Sequence, residues 1–277
     1  MNKSGLLCVI IMYAAMCACN NNNNSQTEQY TPPADTTPVN QAAAYNFLFT
    51  IGNLPSPFTV LNEILKAELP VNTDLLNPYT NADHYNTSLK LSFNYGIYGV
   101  DLGYLVINNH LPEMVDYYSC TKKVADKLNL GETFDQFGTR FDNNHDNKDS
   151  LIKIIDEAYS ATDNYLKSNE RLISATEILT GSWLEGQYLT VNLLLDQDRT
   201  DKNEAIYERV YEQGLHLDNI VKTIAEFKDD KQLMDLKNDF EDLLNHYKEI
   251  KNPEQITKPY LQTLSQKIAK VRNKIIS

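Results

Sequence analysis

The stretch LMDLKNDFEDLLNHYKEI, residues 233–250, indicates the fold class. Its apolar residues advance by 3, 4, 3, 4 and 3 positions: Leu233, Leu236, Phe240, Leu243, Tyr247 and Ile250. This spacing places one narrow apolar stripe along an α-helix, as in a coiled coil. The same spacing recurs at Leu261, Leu264, Ile268, Val271 and Ile275. We therefore predict two antiparallel helices, 231–251 and 257–276, joined by a turn at residues 251–253.

The segment before this pair continues the pattern. Between residues 202 and 228 the apolar stripe comprises Ile206, Val210, Leu217, Ile220, Ile224 and Phe227, with Gln213 as a polar interruption. The last two helices also carry opposite charges. Acidic Asp235, Asp239, Glu241 and Asp242 precede basic Lys267, Lys270, Arg272 and Lys274. Complementary faces on packed helices explain this distribution better than a nucleic-acid site, because the chain carries a net charge of −12.

Helical periodicity extends over most of the remaining sequence. We predict a first helix from Ser56, which can cap it, to Leu69, and further helices at 88–109, 112–129, 132–142, 149–167, 170–195 and 202–228. Asn147 or Asp149 can cap the helix that begins near 149, and Gly131 follows the end of 112–129. No useful stretch alternates polar and apolar residues. The predicted fold is an all-α antiparallel bundle or array of about eight or nine helices spanning residues 45–277.

Two of these helices are apolar or neutral nearly all round. Between residues 89 and 108 only Lys90 and Asp101 are charged, and between 172 and 195 only Glu177 and Glu185. Helices of that composition are normally central. Their glycines, Gly96, Gly99, Gly103, Gly181 and Gly186, permit close backbone approach. Asp101-Leu102-Gly103-Tyr104 and Glu185-Gly186-Gln187-Tyr188 also echo each other 84 residues apart, which suggests a duplicated helical unit or a chance match.

The two central acids are the candidate catalytic residues. A carboxyl group on an apolar helix must be paired, hydrogen-bonded or protonated. If Asp101 and Glu185 face one cleft, they could act as the carboxylate pair of a glycan hydrolase. The competing interpretation is structural, with each acid bonded to Tyr or Asn or paired with Arg140, Arg171 or Lys122. We favour the structural interpretation.

Aromatic residues on the same helices are the candidate binding surface. The chain has 17 tyrosines. Tyr98, Tyr104, Trp183 and Tyr188 could stack against a sugar or a peptide, although tyrosines at helix interfaces commonly belong to the core.

No cofactor or metal site is predicted. Residues 142–147 begin like a calcium loop but lack Gly at the sixth position and Glu at the twelfth. The five histidines have no metal-binding spacing. Cys120 is predicted to be a small buried apolar residue.

The amino terminus indicates export. Lys3 precedes an apolar run from Leu6 to Ala15, which is too short to cross a bilayer but suits a signal peptide. Ala18-Cys19 resembles the lipobox of bacterial lipoproteins. This resemblance implies a signal peptide at 1–18, lipidation of Cys19, for example with palmitate, and a membrane anchor. Cys17 is the alternative acceptor, and an ordinary cleaved signal is the other reading.

Residues 19–44 are rich in Asn, Gln, Thr, Pro and Ala, and have too little apolar surface to fold. We predict a flexible tether with a root-mean-square reach of roughly 25–30 Å. The run after Cys19 lacks an acidic cluster, which favours the periplasmic leaflet of the outer membrane over the cell surface. The acidic balance argues against nucleic-acid partners and against adsorption to anionic lipid.

Residues 91–130 and 181–195, particularly YGVDLGY (98–104) and GSWLEG (181–186), resemble a group of uncharacterised lipoproteins from Bacteroidota. The resemblance implies a location in the cell envelope and brings no catalytic residues. We therefore expect an envelope protein that acts by binding a peptide, glycan or protein partner. A carboxylate-pair hydrolase and a structural or assembly factor are the alternatives.

Overall fold

The computed structural model describes residues 57–277. Within that range the protein is all-α, as predicted, with nine α-helices and no strand. They are α1 (Pro57–Lys66), α2 (Ser88–Ile107), α3 (Leu111–Lys127), α4 (Gly131–Asp142), α5 (Lys148–Ser168), α6 (Leu172–Leu195), α7 (Glu204–Ile224), α8 (Lys231–Tyr247) and α9 (Lys258–Ile276). The predicted signal peptide, Cys19, the tether and the capping Ser56 lie outside the described residues.

The ends of the helices follow local chemistry. Side chains of Thr87, Asn147, Asp230 and Thr257 accept hydrogen bonds from the free amide groups at the starts of α2, α5, α8 and α9. Two residues after their last residue, four helices are followed by a residue with left-handed backbone, namely Glu68, Asn109, Asn129 and Glu170. The first helix ends at Lys66, three residues before the predicted Leu69. Gly131 follows the end of α3, as predicted, and is also the first residue of α4.

The predicted apolar stripes are buried. Every residue of the three C-terminal stripes is at most 9% exposed, and Gln213 lies among them. The opposite charges of α8 and α9 pair between the two helices: Lys267 with Asp242, and both Lys270 and Lys274 with Asp239. These pairs advance in opposite directions along the two helices, so the helices are antiparallel.

Helices α2 to α9 form two four-helix units of the same topology. We call α2–α5 the first unit and α6–α9 the second unit. In each unit the first helix packs against the second and the fourth, and the third packs against its two neighbours in sequence. The fourth helix is antiparallel to the first in both. Contacts of Tyr95 with Thr162 and of Ile107 with Lys148 show this for the first unit.

The two units meet through α2 and α6, the helices predicted to be central. A Cβ atom on Gly96 would lie 2.1 Å from the carbonyl oxygen of Ile178, and a Cβ atom on Gly181 would lie 2.2 Å from that of Phe93. Adding 85 to residue numbers 93 and 96 gives 178 and 181. The contact is therefore reciprocal, as in a twofold-symmetric interface. The structural equivalence is one residue out of register with the 84-residue sequence echo.

The remaining elements close one side of this interface. Helix α1 packs on α2, α6 and α7. An irregular segment, residues 67–87, connects α1 to α2 and contains short 3-10 turns at Thr73–Leu75 and Tyr79–Asp83. We call this segment the strap. It lies along α2 between Tyr98 and Tyr104 and over the C-terminal part of α9, and side chains of both helices hydrogen-bond to its backbone.

Candidate functional site

The two candidate catalytic acids lie together at the interface of the two units. Asp101 of α2 and Glu185 of α6 both have 0% exposure, and their carboxyl groups are close enough to interact directly. They do not form an isolated pair. Arg272 of α9, itself 4% exposed, binds Glu185 through two nitrogens, with Nε–Oε2 and Nη2–Oε1 distances of 2.6 and 2.7 Å. This bidentate geometry is the strongest form of Arg–carboxylate contact.

Asp101 has a different partner. Its Oδ2 atom accepts a hydrogen bond of 3.1 Å from the backbone amide of Asn77 in the strap. Its Oδ1 atom lacks a donor. Burial, reinforced by the negative charge of Glu185, raises the pKa of Asp101 well above its ordinary value, although Arg272 opposes the shift. This shift favours the protonated form of Asp101, whose proton can be donated to Glu185. With Asp101 protonated, the charges of the Glu185 carboxylate and the Arg272 guanidinium balance, and the cluster carries no net charge.

The charge of Arg272 is also fixed by its surroundings. Burial disfavours the guanidinium, but the charge of Glu185 and the hydrogen bonds with it outweigh this effect and raise the pKa of Arg272. Its Nη2 atom donates to the carbonyl oxygen of Leu75 at 3.1 Å, and its guanidinium lies 4.1 Å from the centre of the Tyr188 ring. The cluster therefore joins both units and the strap, and its enclosure favours a structural role over hydrolysis.

The sequence did not identify Arg272 as the partner of Glu185, because Arg272 was grouped with the basic residues predicted to face the acidic side of the preceding helix. The other cations considered as partners lie elsewhere. Arg140 pairs with Glu157, Arg171 donates to the carbonyl of Leu128, and Lys122 pairs with Asp126 and Asp135. One signal was present in the sequence: Ser265 and Arg272 are seven residues apart, on a second stripe beside the apolar one. Ser265 is also buried and bonds to Asn192 of α6.

The four candidate binding aromatics lie at or below the surface of the central helices. Tyr98 and Tyr104 are 0% and 1% exposed, and both bond to the strap. The Tyr98 hydroxyl donates to the Pro78 carbonyl at 2.9 Å, and the Tyr104 hydroxyl accepts from the Asn72 amide at 3.0 Å. Trp183 is 7% exposed and donates from Nε1 to Gln213 at 2.9 Å. Tyr188 is half-buried beneath Arg272. All four aromatic side chains therefore make contacts within the protein and do not form an exposed stacking surface.

An apolar opening lies instead in the first unit. A surface groove of about 270 Å³ is lined by Leu111, Met114, Val115, Tyr118, Phe141, Asp142 and His145. Behind it is an almost wholly apolar cavity, with about 20 Å³ of internal space, between α2, α3, α4 and α5. Tyr118 and Phe141 line both spaces, and their rings stack with centres 4.2 Å apart. The stacked pair is thus the wall between groove and cavity. Sequence reasoning missed this site, because its residues appeared only as the apolar stripes of separate helices.

No metal-binding group is formed by the described part of the chain. Residues 57–277 contain no cluster of three or more His, Cys, Asp or Glu side chains that could hold a metal ion. Asn147, in the segment that begins like a calcium loop, caps α5 through its side chain. Cys120 is buried as predicted, and burial raises the pKa of its thiol. None of the described helices is both long and apolar enough to span a bilayer.

Comparison with protein-family models, with curated proteins and with solved structures gives no match to this chain.

Proposed function

We propose that the protein is a lipid-anchored component of a bacterial cell envelope whose helical body binds a peptide or protein partner through the first unit. The groove lined by Val115 and Tyr118 supports the proposed binding of a partner, since it is an apolar surface next to an internal cavity. Val115 is 59% exposed within it. Exposed apolar residues gathered in a concave surface are typical of binding sites.

The buried acids support binding rather than hydrolysis. Asp101 and Glu185 are neighbours, as a carboxylate pair must be, but neither is accessible to a substrate. Both are also bonded to other parts of the protein, which leaves no free acid–base pair at that place. A glycan is also a poor ligand for the first unit, because the almost wholly apolar cavity would leave sugar hydroxyls without hydrogen-bond partners.

The anchor is proposed from the sequence alone. Lipid on Cys19 and a tether of about 25 residues would hold the helical body within roughly 25–30 Å of the membrane on average. We propose the periplasmic leaflet of the outer membrane. A partner could then be an envelope protein or a peptide segment near that membrane.

Fractionation tests the anchor. Cys19→Ala should move the protein from the membrane to the soluble envelope fraction and abolish incorporation of a labelled fatty acid. Cys17→Ala is the matched control and should leave both properties unchanged. The reverse result would transfer lipidation to Cys17, and an unlabelled, soluble wild-type protein would refute the anchor.

Site-specific crosslinking tests the binding surface. A photoreactive amino acid at Val115 should form a crosslinked adduct in intact cells. The same group at Leu215, which is 71% exposed in the second unit, should not. Equal adducts at both positions, or none at Val115, would contradict a binding role for the groove. The second outcome would favour a structural or assembly function.

A further inference from the structure

The groove of the first unit is built to receive a side chain rather than a flat surface. Leu111, Met114, Val115 and Tyr118 lie on one face of α3, and Phe141 of α4 forms the opposite side. The opening of about 270 Å³ is the size of a single residue or two, not of a whole helix. A ligand therefore inserts one group here, and the rest of it lies on the surrounding surface.

The cavity behind the groove restricts the shape of that group. Its lining includes Tyr95, Tyr118, Phe134 and Tyr159, and nearly all of it is apolar. The internal space of about 20 Å³ exceeds that needed by one water-sized sphere, roughly 10–15 Å³, by only a little. The cavity can therefore accept no more than a terminal methyl group, and an aliphatic side chain that fills the groove can direct such a methyl toward the Tyr118–Phe141 pair. An aromatic ring is too large for the cavity.

The rim of the groove restricts the charge. Asp142 lines it and forms no ion pair within the described part of the chain. Glu113 and Asp116 flank the lining residues on α3, and Asp146 follows one residue after His145. Of the nearby cations, Lys122 pairs with Asp126 and Asp135, whereas Lys148 donates to the neutral Ile107 carbonyl and keeps its charge. His145 is a further basic residue in the lining. The acidic side chains near the opening still outnumber the basic ones, which complements a cationic ligand.

We infer that the groove binds a basic peptide segment, which inserts one branched aliphatic side chain toward the Tyr118–Phe141 pair and places a Lys or Arg beside Asp142. This inference rests on the proposed function and specifies the partner. Apolar contact supplies the binding free energy, and the carboxylate selects the sign of the ligand's charge. An isolated contact of this size is weak, with a dissociation constant on the order of 0.1–1 mM.

Methyl NMR of the full chain tests the inference. Met114 lines the groove, whereas Met234 lies in the second unit, so 13C-labelled methionine methyls report on both regions. The probes are three blocked tripeptides: Leu-Lys-Lys, Leu-Glu-Glu and Gly-Lys-Lys. Leu-Lys-Lys should shift the Met114 signal saturably and leave Met234 unchanged. The other two should bind at least about fivefold more weakly, because one reverses the charge and the other lacks the apolar group.

Two surface variants complete the test without disturbing the core. Val115→Arg blocks the groove with a like charge and should abolish the Met114 shift, while Leu215→Arg should not. Asp142→Asn should weaken Leu-Lys-Lys binding about threefold, whereas Asp229→Asn, at an exposed position in the second unit, should leave it unchanged. Equal binding of Leu-Glu-Glu, or an absence of any saturable shift at 10 mM, would overturn the inference. Crosslinking at Val115 is independent of these peptides, so the proposed function could survive that result.

Discussion

The two four-helix units share one topology but close their interiors differently. The second unit attaches to the central helices by charged and amide groups: Arg272 to Glu185, Gln213 to Trp183, and Tyr247 to Gln187. Apart from Lys148, whose ammonium group donates to the Ile107 carbonyl, the first unit attaches by neutral hydroxyl groups. Tyr95 contacts Thr162, and Tyr159 bridges the Gly96 carbonyl and the Ser182 hydroxyl. Between these contacts and the outer helices, the first unit keeps a cavity.

This difference separates stability from binding within one chain. Buried polar groups bonded to each other specify a single arrangement, but they leave no space for a ligand. Aromatic faces in loose contact cost packing energy and leave room for an apolar group. The close contact of α2 and α6 at Gly96 and Gly181 joins the two units. The well-packed second unit can therefore support the first unit, which contains the cavity.

The largest effect is expected from breaking the charged attachment of the second unit. Arg272→Leu leaves the Glu185 carboxylate buried without its cation, which should lower the free energy of unfolding by about 3–5 kcal/mol. Denaturant titration measures the loss. Lys270→Leu, on the same helix, removes an exposed ammonium group and leaves its partner Asp239 paired with Lys274, so it should cost less than about 1 kcal/mol. Adding Glu185→Leu to Arg272→Leu should restore most of the loss. A double variant as unstable as the single one would show that the cluster stabilises through more than charge balance.

A smaller loss of stability is expected from a change at the contact between α2 and α6. Gly96→Ala places a methyl group 2.1 Å from the Ile178 carbonyl, so α2 and α6 must move apart, at a cost of about 1–3 kcal/mol. Gly186→Ala is the control, because its Cβ would have no neighbour within 4 Å, and it should gain up to about 1 kcal/mol in helix propensity. Thermal melts of the two variants should therefore shift in opposite directions. Equal shifts would contradict the close glycine contact.

The raised pKa of Asp101 predicts that the stability of the protein depends on pH. Because the folded-state pKa of Asp101 lies above its ordinary value of 3.8, the folded chain binds one more proton than the unfolded chain between the two values. The stability contribution of this group therefore falls as pH rises from about 4 toward the folded pKa, by up to about 1.4 kcal/mol per pH unit. Asp101→Asn keeps the hydrogen bonds and removes the titration.

The difference in free energy of unfolding between Asp101→Asn and the wild-type protein isolates the contribution of Asp101. Asp239 changes stability in the opposite sense. Burial opposes its ionisation, but hydrogen bonds from Lys274 and Lys270 outweigh burial and lower its pKa, so its contribution is lost only in acid. This background is common to both proteins and cancels. Denaturant titrations at pH 4.5, 6 and 7.5 should show Asp101→Asn becoming progressively more stable relative to wild type. A constant difference would mean that Asp101 is ionised in the folded protein.

Much of the fold could be predicted from the sequence, because helix positions depend on local periodicity. The stripe from Leu233 to Ile250 and the two nearly uncharged helices identified the outer and central elements before any contact was known. The sequence did not identify Gly96 and Gly181 as equivalent positions. The similarity around Asp101 and Glu185 has a spacing of 84 residues, whereas the two glycines are 85 residues apart. Three-dimensional packing was needed to find the reciprocal contact.

The sites were less predictable, because they depend on which faces of different helices meet. The sequence showed that Asp101 and Glu185 needed partners, but one partner is a backbone amide in the strap and the other is Arg272, 87 residues beyond Glu185. The groove combines residues of α3 and α4 whose apolar spacing is that of any core stripe. No local pattern distinguishes a stripe that is covered from one that is left open.

The smallest expected effect compares one hydroxyl group in each unit. Tyr247→Phe removes the hydrogen bond of 3.2 Å to Gln187, whose amide is 2% exposed, and leaves its oxygen without that donor. Tyr95→Phe removes the contact of 3.1 Å with Thr162, but a threonine hydroxyl in a helix can turn to the carbonyl four residues earlier. We expect losses of about 1–2 kcal/mol for Tyr247→Phe and about 0.5 kcal/mol for Tyr95→Phe. Denaturant titration under identical conditions measures both. If Tyr95→Phe proved the more damaging, the first unit would be held as tightly as the second, and the division between a closed scaffold and an open binding unit would fail.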